Sequence, residues 1–314
     1  MTSNYSARDG FGGGTGQRQP LPPLARHQRR KLPESATCLT ILLFGGPIIQ
    51  HQKSDLMSMP DKKNFLFVEF RQLERLRLLS ALLERGDSKG FRYIVTPNVD
   101  HVINLRFNPI WQPMVQSYAH ATYVQNDSKI ITVLARTMGL NLPAYPGSDL
   151  TRDIFENMDK AAKVLIIGGD AAAPDKLKAL FNLHFIDQHT PPFGLLHNAA
   201  AREVCVEKAL AKDYDFIFIA VGSPQGELIA HQIHQTSRSC AVALCTGASI
   251  DFLTGKARRA PEIFQKLAME WAYRLMMEPR RLWRRYILGL PKIMLLYIIW
   301  VKHTLFRQNA SRGA

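Results

Sequence analysis

The stretch "AKVLIIGGDAAAPDKLKALFNL", Ala162 to Leu183, decides the fold. Its first part is an unbroken apolar run that ends in Gly168-Gly169, which is how a strand buried on both faces reads. Its second part, "AAAPDKLKALFNL", reads as the helix that follows. The same alternation extends outward in both directions. Upstream, "FRYIVTPN" and "ATYVQ" read as short buried strands, with helical signals from Val99 to Tyr118 and in "IITVLARTMGL", closed by Gly139. Downstream, "FIDQ", "YDFIFIAVGSP" and "CAVALCTG" read as strands, with helices around "HNAAAREVCVEKALAK" and "QGELIAHQIHQ". Apolar strands alternating with helices predict a parallel sheet covered on both faces, an α/β fold that is Rossmann-like in the broad sense. Such sheets hold their ligands at the carboxyl ends of the strands.

The net charge of +14 is unevenly distributed over the 314 residues. Residues 1–34 carry a net +4 and residues 256–314 a net +10, whereas the middle is neutral. A cationic tail on a neutral body predicts a polyanionic partner: nucleic acid, an anionic membrane surface or a phosphate-rich substrate. The four cysteines are scattered, so neither a zinc site nor a disulfide framework is expected, and a reducing compartment is the default. "LTILLFGGPII" follows a basic stretch as a signal peptide would. Its lead is overlong, Gly-Gly-Pro interrupts it and no small-x-small cleavage site follows, so export is not expected. Residues 1–63 are expected to be a poorly ordered extension, rich in Gly, Arg, Gln and Pro towards its start. Residues 64–255 would form the α/β core and 256–314 a basic, aromatic-rich appendage.

Three polar strand ends fall on the expected ligand edge: Thr96-Pro97-Asn98, Asn126-Asp127-Ser128 and Gly222-Ser223-Pro224-Gln225-Gly226-Glu227. Each alone is equally what a helix cap would use; three on one edge favour a site. "IIGGDAAAP" lacks the third glycine of a dinucleotide fingerprint, but Gly168 and Gly169 would let a backbone approach a diphosphate at a helix N-terminus. "DYD", Asp213 to Asp215, resembles a metal-holding acidic pair, yet it precedes its strand and so lies on the wrong edge. His231 and His234 have no matching carboxylate, which favours a surface or core role over a metal.

The C-terminal segment combines Trp271, Tyr273, Trp283, Tyr286 and Trp300 with Arg274, Arg280, Arg281, Arg284 and Arg285. Its run "IMLLYIIWV", between Lys292 and Lys302, is too short to span a bilayer. It predicts an interfacial amphipathic element, with aromatics at headgroup depth and arginines on phosphates. The other reading is a helical lid packed on the domain. Its Leu, Ile and Met content exceeds what a helix tracking nucleic acid needs, so no nucleic-acid partner is expected. Truncation after Leu267 is expected to leave a fold that binds nucleotide but is nearly inactive.

These blocks together resemble a known family. "TPNVDHV", the Asn126-Asp127 pair with "ARTMGLNLP" after it, "PGSDL", "VLIIGG", "AVGSPQGE", "GASIDFLTGKARRAPE" and "EWAYRLMMEPRRLWRRY" are similar to the motifs of the WecG/TagA/CpsF glycosyltransferases, glycosyltransferase family 26. The resemblance runs from about Phe65 to Arg285. It implies an inverting, metal-independent enzyme without a cofactor, taking a hexose or N-acetylhexosamine from a UDP-sugar. The acceptor would be a polyprenyl-diphosphate-linked saccharide at the cytoplasmic face of the membrane, in bacterial exopolysaccharide or surface-polysaccharide synthesis.

By the same resemblance Asp127 would be the general base, with Thr96 and Asn98 lining the catalytic pocket. Gly168, Gly169, Gly222, Ser223, Pro224, Glu227 and Asp251 would surround the nucleotide-sugar. Arg274, Arg280, Arg281, Arg284 and Arg285 would meet the lipid diphosphate, and self-association is compatible with it. The chain departs from the pattern at Asp127-Ser128, where many members have Asp-Gly, and at Gln225-Gly226, where they have Lys-Gln. N-acetylmannosamine is therefore not carried over as the donor, and the "NDS" version leans towards glucose or a related hexose. The competing expectations are a non-catalytic, membrane-associated nucleotide-binding protein, in which Asp127 is only a cap, and a nicotinamide oxidoreductase.

Overall fold

The computed structural model describes residues 60–84, 90–236, 238–257, 261, 264, 270–277 and 279–312. The expected N-terminal extension up to residue 59 and the side chains of Arg274, Arg281, Arg284 and Arg285 lie outside that description. The strands are β1 (Asp61–Phe65), β2 (Val68–Gln72), β3 (Arg92–Val95), β4 (Tyr123–Val124), β5 (Lys163–Gly168), β6 (Phe185–His189), β7 (Phe216–Ala220) and β8 (Val242–Cys245). The helices used below are α1 (Arg75–Leu83), α2 (Val99–Phe107), α3 (Gln112–His120), α4 (Lys129–Arg136), α5 (Gly147–Asn157), α6 (Ala173–Phe181), α7 (Ala199–Leu210), α8 (Gln225–Thr236), α9 (Ser249–Leu253), α10 (Glu270–Met277) and α11 (Pro279–Arg312).

One eight-stranded sheet has the order β1-β2-β4-β3-β8-β7-β5-β6. From β4 to β6 every pairing is parallel, as the apolar runs predict. Successive residues of a strand point to opposite faces. Leu165, Ile167, Ile217 and Ile219 accordingly enter one core with α3, α4, α7 and α8. Val164, Ile166, Phe216 and Phe218 enter the other with α1, α5 and α6.

The sheet also has an antiparallel edge that the sequence conceals. β1 and β2 form a hairpin with Phe65 opposite Val68, and β2 runs antiparallel to β4 with Arg71 opposite Val124. The turn residues are Leu66 and Phe67, both left-handed at φ 53° and 62°. Two-residue hairpins normally use Asn-Gly or Asp-Gly there because a Cβ is strained at positive φ. With bulky residues in the turn, "NFLFVEF" reads as one apolar run.

The second departure concerns the C-terminal helix. α11 runs unbroken from Pro279 to Arg312 through Pro291, so its apolar window is not confined to the short run. Leu288–Arg307 is long and apolar enough to cross a membrane by length and composition. One face of it is nevertheless part of the domain: Ile293, Leu296 and Trp300 are buried in the first core. The Trp300 ring meets Phe65 edge-on at 4.8 Å, and the Tyr297 and Thr137 hydroxyls lie 2.6 Å apart. A truncation after Leu267 would strip these side chains from the core and is therefore expected to cost stability as well as the appendage. Met294, Leu295, Ile298, Leu305 and Phe306 stay exposed on the outer face.

Candidate active site

Because β4, β3, β8, β7 and β5 are parallel neighbours, the three polar strand ends do share one carboxyl edge. From β4 to β7 that edge spans about 14 Å at ordinary strand spacing. Asp127 follows β4, half-buried, and its backbone N–H donates to Pro97 O at 3.1 Å. The N-cap of α4 is the next residue, Ser128, whose Oγ accepts from Ile131 N. Its Oδ1 instead accepts from Gly147 N at 2.7 Å, across twenty residues of chain, at the first turn of α5. The segment beneath is rigid: Asn126 is fully buried, donating to Thr132 Oγ1 (2.9 Å) and Leu142 O (3.1 Å).

Gly147 fits this place because nothing larger does. A Cβ there would stand 2.9 Å from Thr96 Oγ1 and 3.2 Å from Thr246 Cγ2. The "PGSDL" segment is thus pressed onto the ends of β3 and β8. Thr151 Oγ1 ties it down with bonds to Gly147 O (2.7 Å) and Thr246 Oγ1 (3.0 Å). Thr96 is 5% exposed and donates to Cys245 O at 3.3 Å. Asn98 caps α2, its Oδ1 accepting from Asp100 N (3.0 Å) and His101 N (3.4 Å). Thr96, Asn98 and Asp127 therefore stand side by side, each held by the backbone.

The opposite side of the crevice is built from turns. After β5, Gly168 and Gly169 have φ of 96° and 76°, and a Cβ on Gly168 would lie 2.9 Å from Ala220 O. Gln188 Nε2 braces this turn by donating to Gly168 O (2.8 Å) and Asp170 O (2.9 Å). After β7, Gly222 leads into Ser223-Pro224, joined by a cis peptide, and then α8. Glu227 sits inside this turn at 2% exposure, accepting from Ser223 Oγ, and burial raises its carboxyl pKa. It holds the turn from within through Ser223, and Gly222 is the exposed residue of the group. At Gly226, where the family pattern has glutamine, a Cβ would lie 3.1 Å from Val221 O, a tight contact that the turn would have to relax to admit. Asp251, on α9, lies 4.0 Å from Lys256 Nζ, which also approaches Asp170 at 3.2 Å.

Sequence reasoning passed over several of these residues. Lys256 places a cation beside Asp170, directly after the Gly168-Gly169 turn, and near Asp251; its only signal was membership of the "GASIDFLTGKARRAPE" block. Gly147 was quoted within "PGSDL" without a role, and Gln188 gave no signal because its bonds exist only across two strand ends. Beneath the site, Tyr118 Oη lies 3.4 Å from His101 Nδ1, and burial moves the two apart in pKa: the tyrosine well up, the histidine down to about 4.

"DYD" lies at the amino edge as expected. Asp215 Oδ2 accepts from Lys163 N at 2.7 Å, and Tyr214 donates to Asp187 Oδ2 at 2.7 Å. His231 and His234 pack with His120 at ring distances of 5.0 and 5.9 Å, also away from the crevice. In the C-terminal helices Arg280 is exposed, and the other four arginines lie on α10 and α11 with their side chains undescribed.

Residues 63–308 match the family described as Glycosyl transferase WecG/TagA/CpsF family. A curated relative from Bacillus spizizenii is 27% identical over 212 residues, covering 66% of this chain and 78% of its own length. That protein is an N-acetylglucosaminyldiphosphoundecaprenol N-acetyl-beta-D-mannosaminyltransferase.

Proposed function

Because the chain belongs to the WecG/TagA/CpsF glycosyltransferase family, we propose that its carboxyl-edge crevice moves a hexose or N-acetylhexosamine from a UDP-sugar onto a polyprenyl-diphosphate-linked saccharide. The observation that carries the residue assignment is Asp127 Oδ1 on Gly147 N. One carboxylate oxygen is fixed by the fold, which orients the group at the ligand edge. A sugar hydroxyl is a poor nucleophile at neutral pH and needs a carboxylate within hydrogen-bond reach as its bond forms.

In the proposed step the acceptor hydroxyl passes its proton to Asp127, and its oxygen attacks the anomeric carbon from the face opposite the diphosphate. The bond from that carbon to the phosphate oxygen breaks, UDP leaves with the electron pair, and the configuration inverts. Charge developing on the leaving diphosphate is met by backbone N–H groups at the starts of α6 and α8, by Lys256 and by the arginines of α10 and α11, without a metal ion. The protein would act as a peripheral enzyme on the cytoplasmic membrane surface. A helix that keeps one face in the protein core cannot be surrounded by lipid, so α11 would lie in the interface with its exposed apolar face down and its basic residues on anionic headgroups.

Transfer of labelled sugar from a panel of UDP-sugars to polyprenyl-diphosphate-linked N-acetylglucosamine tests this reading, with wild type beside Asp127→Asn. Asparagine keeps an Oδ1 acceptor for Gly147 N but is no base, so transfer should fall about 10²- to 10⁴-fold while UDP binding persists. Equal transfer by both proteins would return Asp127 to a purely structural role.

A further inference from the structure

Away from the crevice lies a second concavity of about 350 Å³, between the β1–β2 hairpin and helices α2 and α3. Val68, Val102, Leu105 and Val115 give it aliphatic walls, and Arg106 stands at its rim. The other guanidinium in it, Arg71, is engaged by Ala119 O at 3.0 Å and by Tyr118 O. Glu69, the carboxylate of the lining, is paired with the same Arg71 at 3.2 Å, so most of the remaining wall is apolar. Such a groove suits a hydrocarbon chain.

Its orientation follows from the strand register. β2 is antiparallel to β4 with Arg71 opposite Val124, so the end of the groove at Leu66–Val68 lies towards the Asp127 end of β4. That end is formed by the left-handed Leu66-Phe67 turn. Bulky residues at positive φ persist only where their surroundings hold them, and such strain gathers at functional places. Here Leu66 is buried, whereas Phe67 is turned outward under the Arg106 guanidinium (5.6 Å) and beside the His303 ring of α11 (5.6 Å). The groove is therefore continuous, through Phe67, with the helix whose outer face bears Leu295, Ile298 and Phe306.

We propose that this groove seats the first isoprene units of the lipid-linked acceptor, with the chain along β2, the diphosphate near Arg106 and the saccharide leading towards Asp127. The match is one of charge and polarity: an apolar channel with a cation at its mouth for an apolar chain with an anionic head. This inference rests on the function proposed above for the identity of its occupant.

The test needs neither donor nor turnover. Full-length protein is photolabelled with geranylgeranyl diphosphate carrying a terminal diazirine, and labelled peptides are mapped in wild type, Leu105→Trp and Val115→Asp. Val115 is 45% exposed, so its variant keeps the fold. Labelling should fall on the segments 66–71, 102–106 and 115–119, drop about tenfold or more in both variants, and be competed by unlabelled prenyl diphosphate but not by phosphatidylglycerol vesicles. Labelling elsewhere, or undiminished in the variants, overturns the groove. Equal competition by the vesicles overturns the isoprenoid and assigns the groove to bilayer acyl chains. Labelling in the groove by a protein that transfers no sugar refutes the proposed reaction and leaves the chain site standing.

Discussion

Replacing Trp300 by alanine tests whether the C-terminal helix belongs to the folded domain. Trp300 is 6% exposed and packs edge-on against the fully buried Phe65, in a cluster that includes Ile293 and Leu296. Truncating a buried tryptophan removes its transfer free energy and leaves a cavity, together about 3–5 kcal/mol. For a domain of this size that should lower Tm by roughly 10 °C. Thermal unfolding followed by far-UV circular dichroism reads this without depending on the tryptophan itself. A double-mutant cycle with Phe65→Leu should return a coupling of about 0.5–1.5 kcal/mol, as edge-to-face aromatic pairs do. A Tm within a degree or two of wild type, with no coupling, would mean that α11 is not held on the core.

Three further outcomes are expected. Asp127→Ala should lose about 1 kcal/mol of stability with its acceptor for Gly147 N, while Asp127→Asn loses little; identical melting curves for the two would refute the bond between the two segments. Gly147→Ala should cost about 1–3 kcal/mol and much of the transfer activity, because its methyl meets Thr96 Oγ1 at 2.9 Å; a fully active variant with unchanged Tm would show that the "PGSDL" segment is not pressed onto β3 and β8. His101 titrates at about 4 in the folded protein because burial disfavours its charge. The unfolded chain therefore takes up the proton first as pH falls below about 6.5. Stability should decline by about 2 kcal/mol between pH 8 and pH 5 on this account, and the decline should be smaller by that amount in His101→Asn. An unchanged pH profile in the variant would contradict the burial of His101.

Much of the fold was legible because it rests on local pattern. An apolar run such as Val164–Ile167 can be buried only inside a covered sheet, and glycines directly after it mark the carboxyl edge where ligands sit. The hairpin was not legible, since Leu66-Phe67 carries none of the residues that announce a turn. The ligand edge was legible as well: Thr96, Asn98, Asp127 and the Gly222–Pro224 turn are placed on it by parallel strands. Glu227 shows the limit, because a carboxyl in a turn motif does not reveal from sequence that it is buried and accepts from Ser223 inside the turn.

The sequence by itself determined the parallel α/β sheet, its ligand edge and the family, because periodicity and contiguous motifs are properties of neighbouring residues. Only the tertiary structure decided that Asp127 grips Gly147, that Lys256 links Asp170 and Asp251, and that one face of α11 closes the core. An apolar helix face looks alike to a membrane and to a protein interior. Which of them it meets depends on residues far away in the chain, here Phe65 and Thr137 for Trp300 and Tyr297, and their approach is fixed only when the whole sheet is assembled.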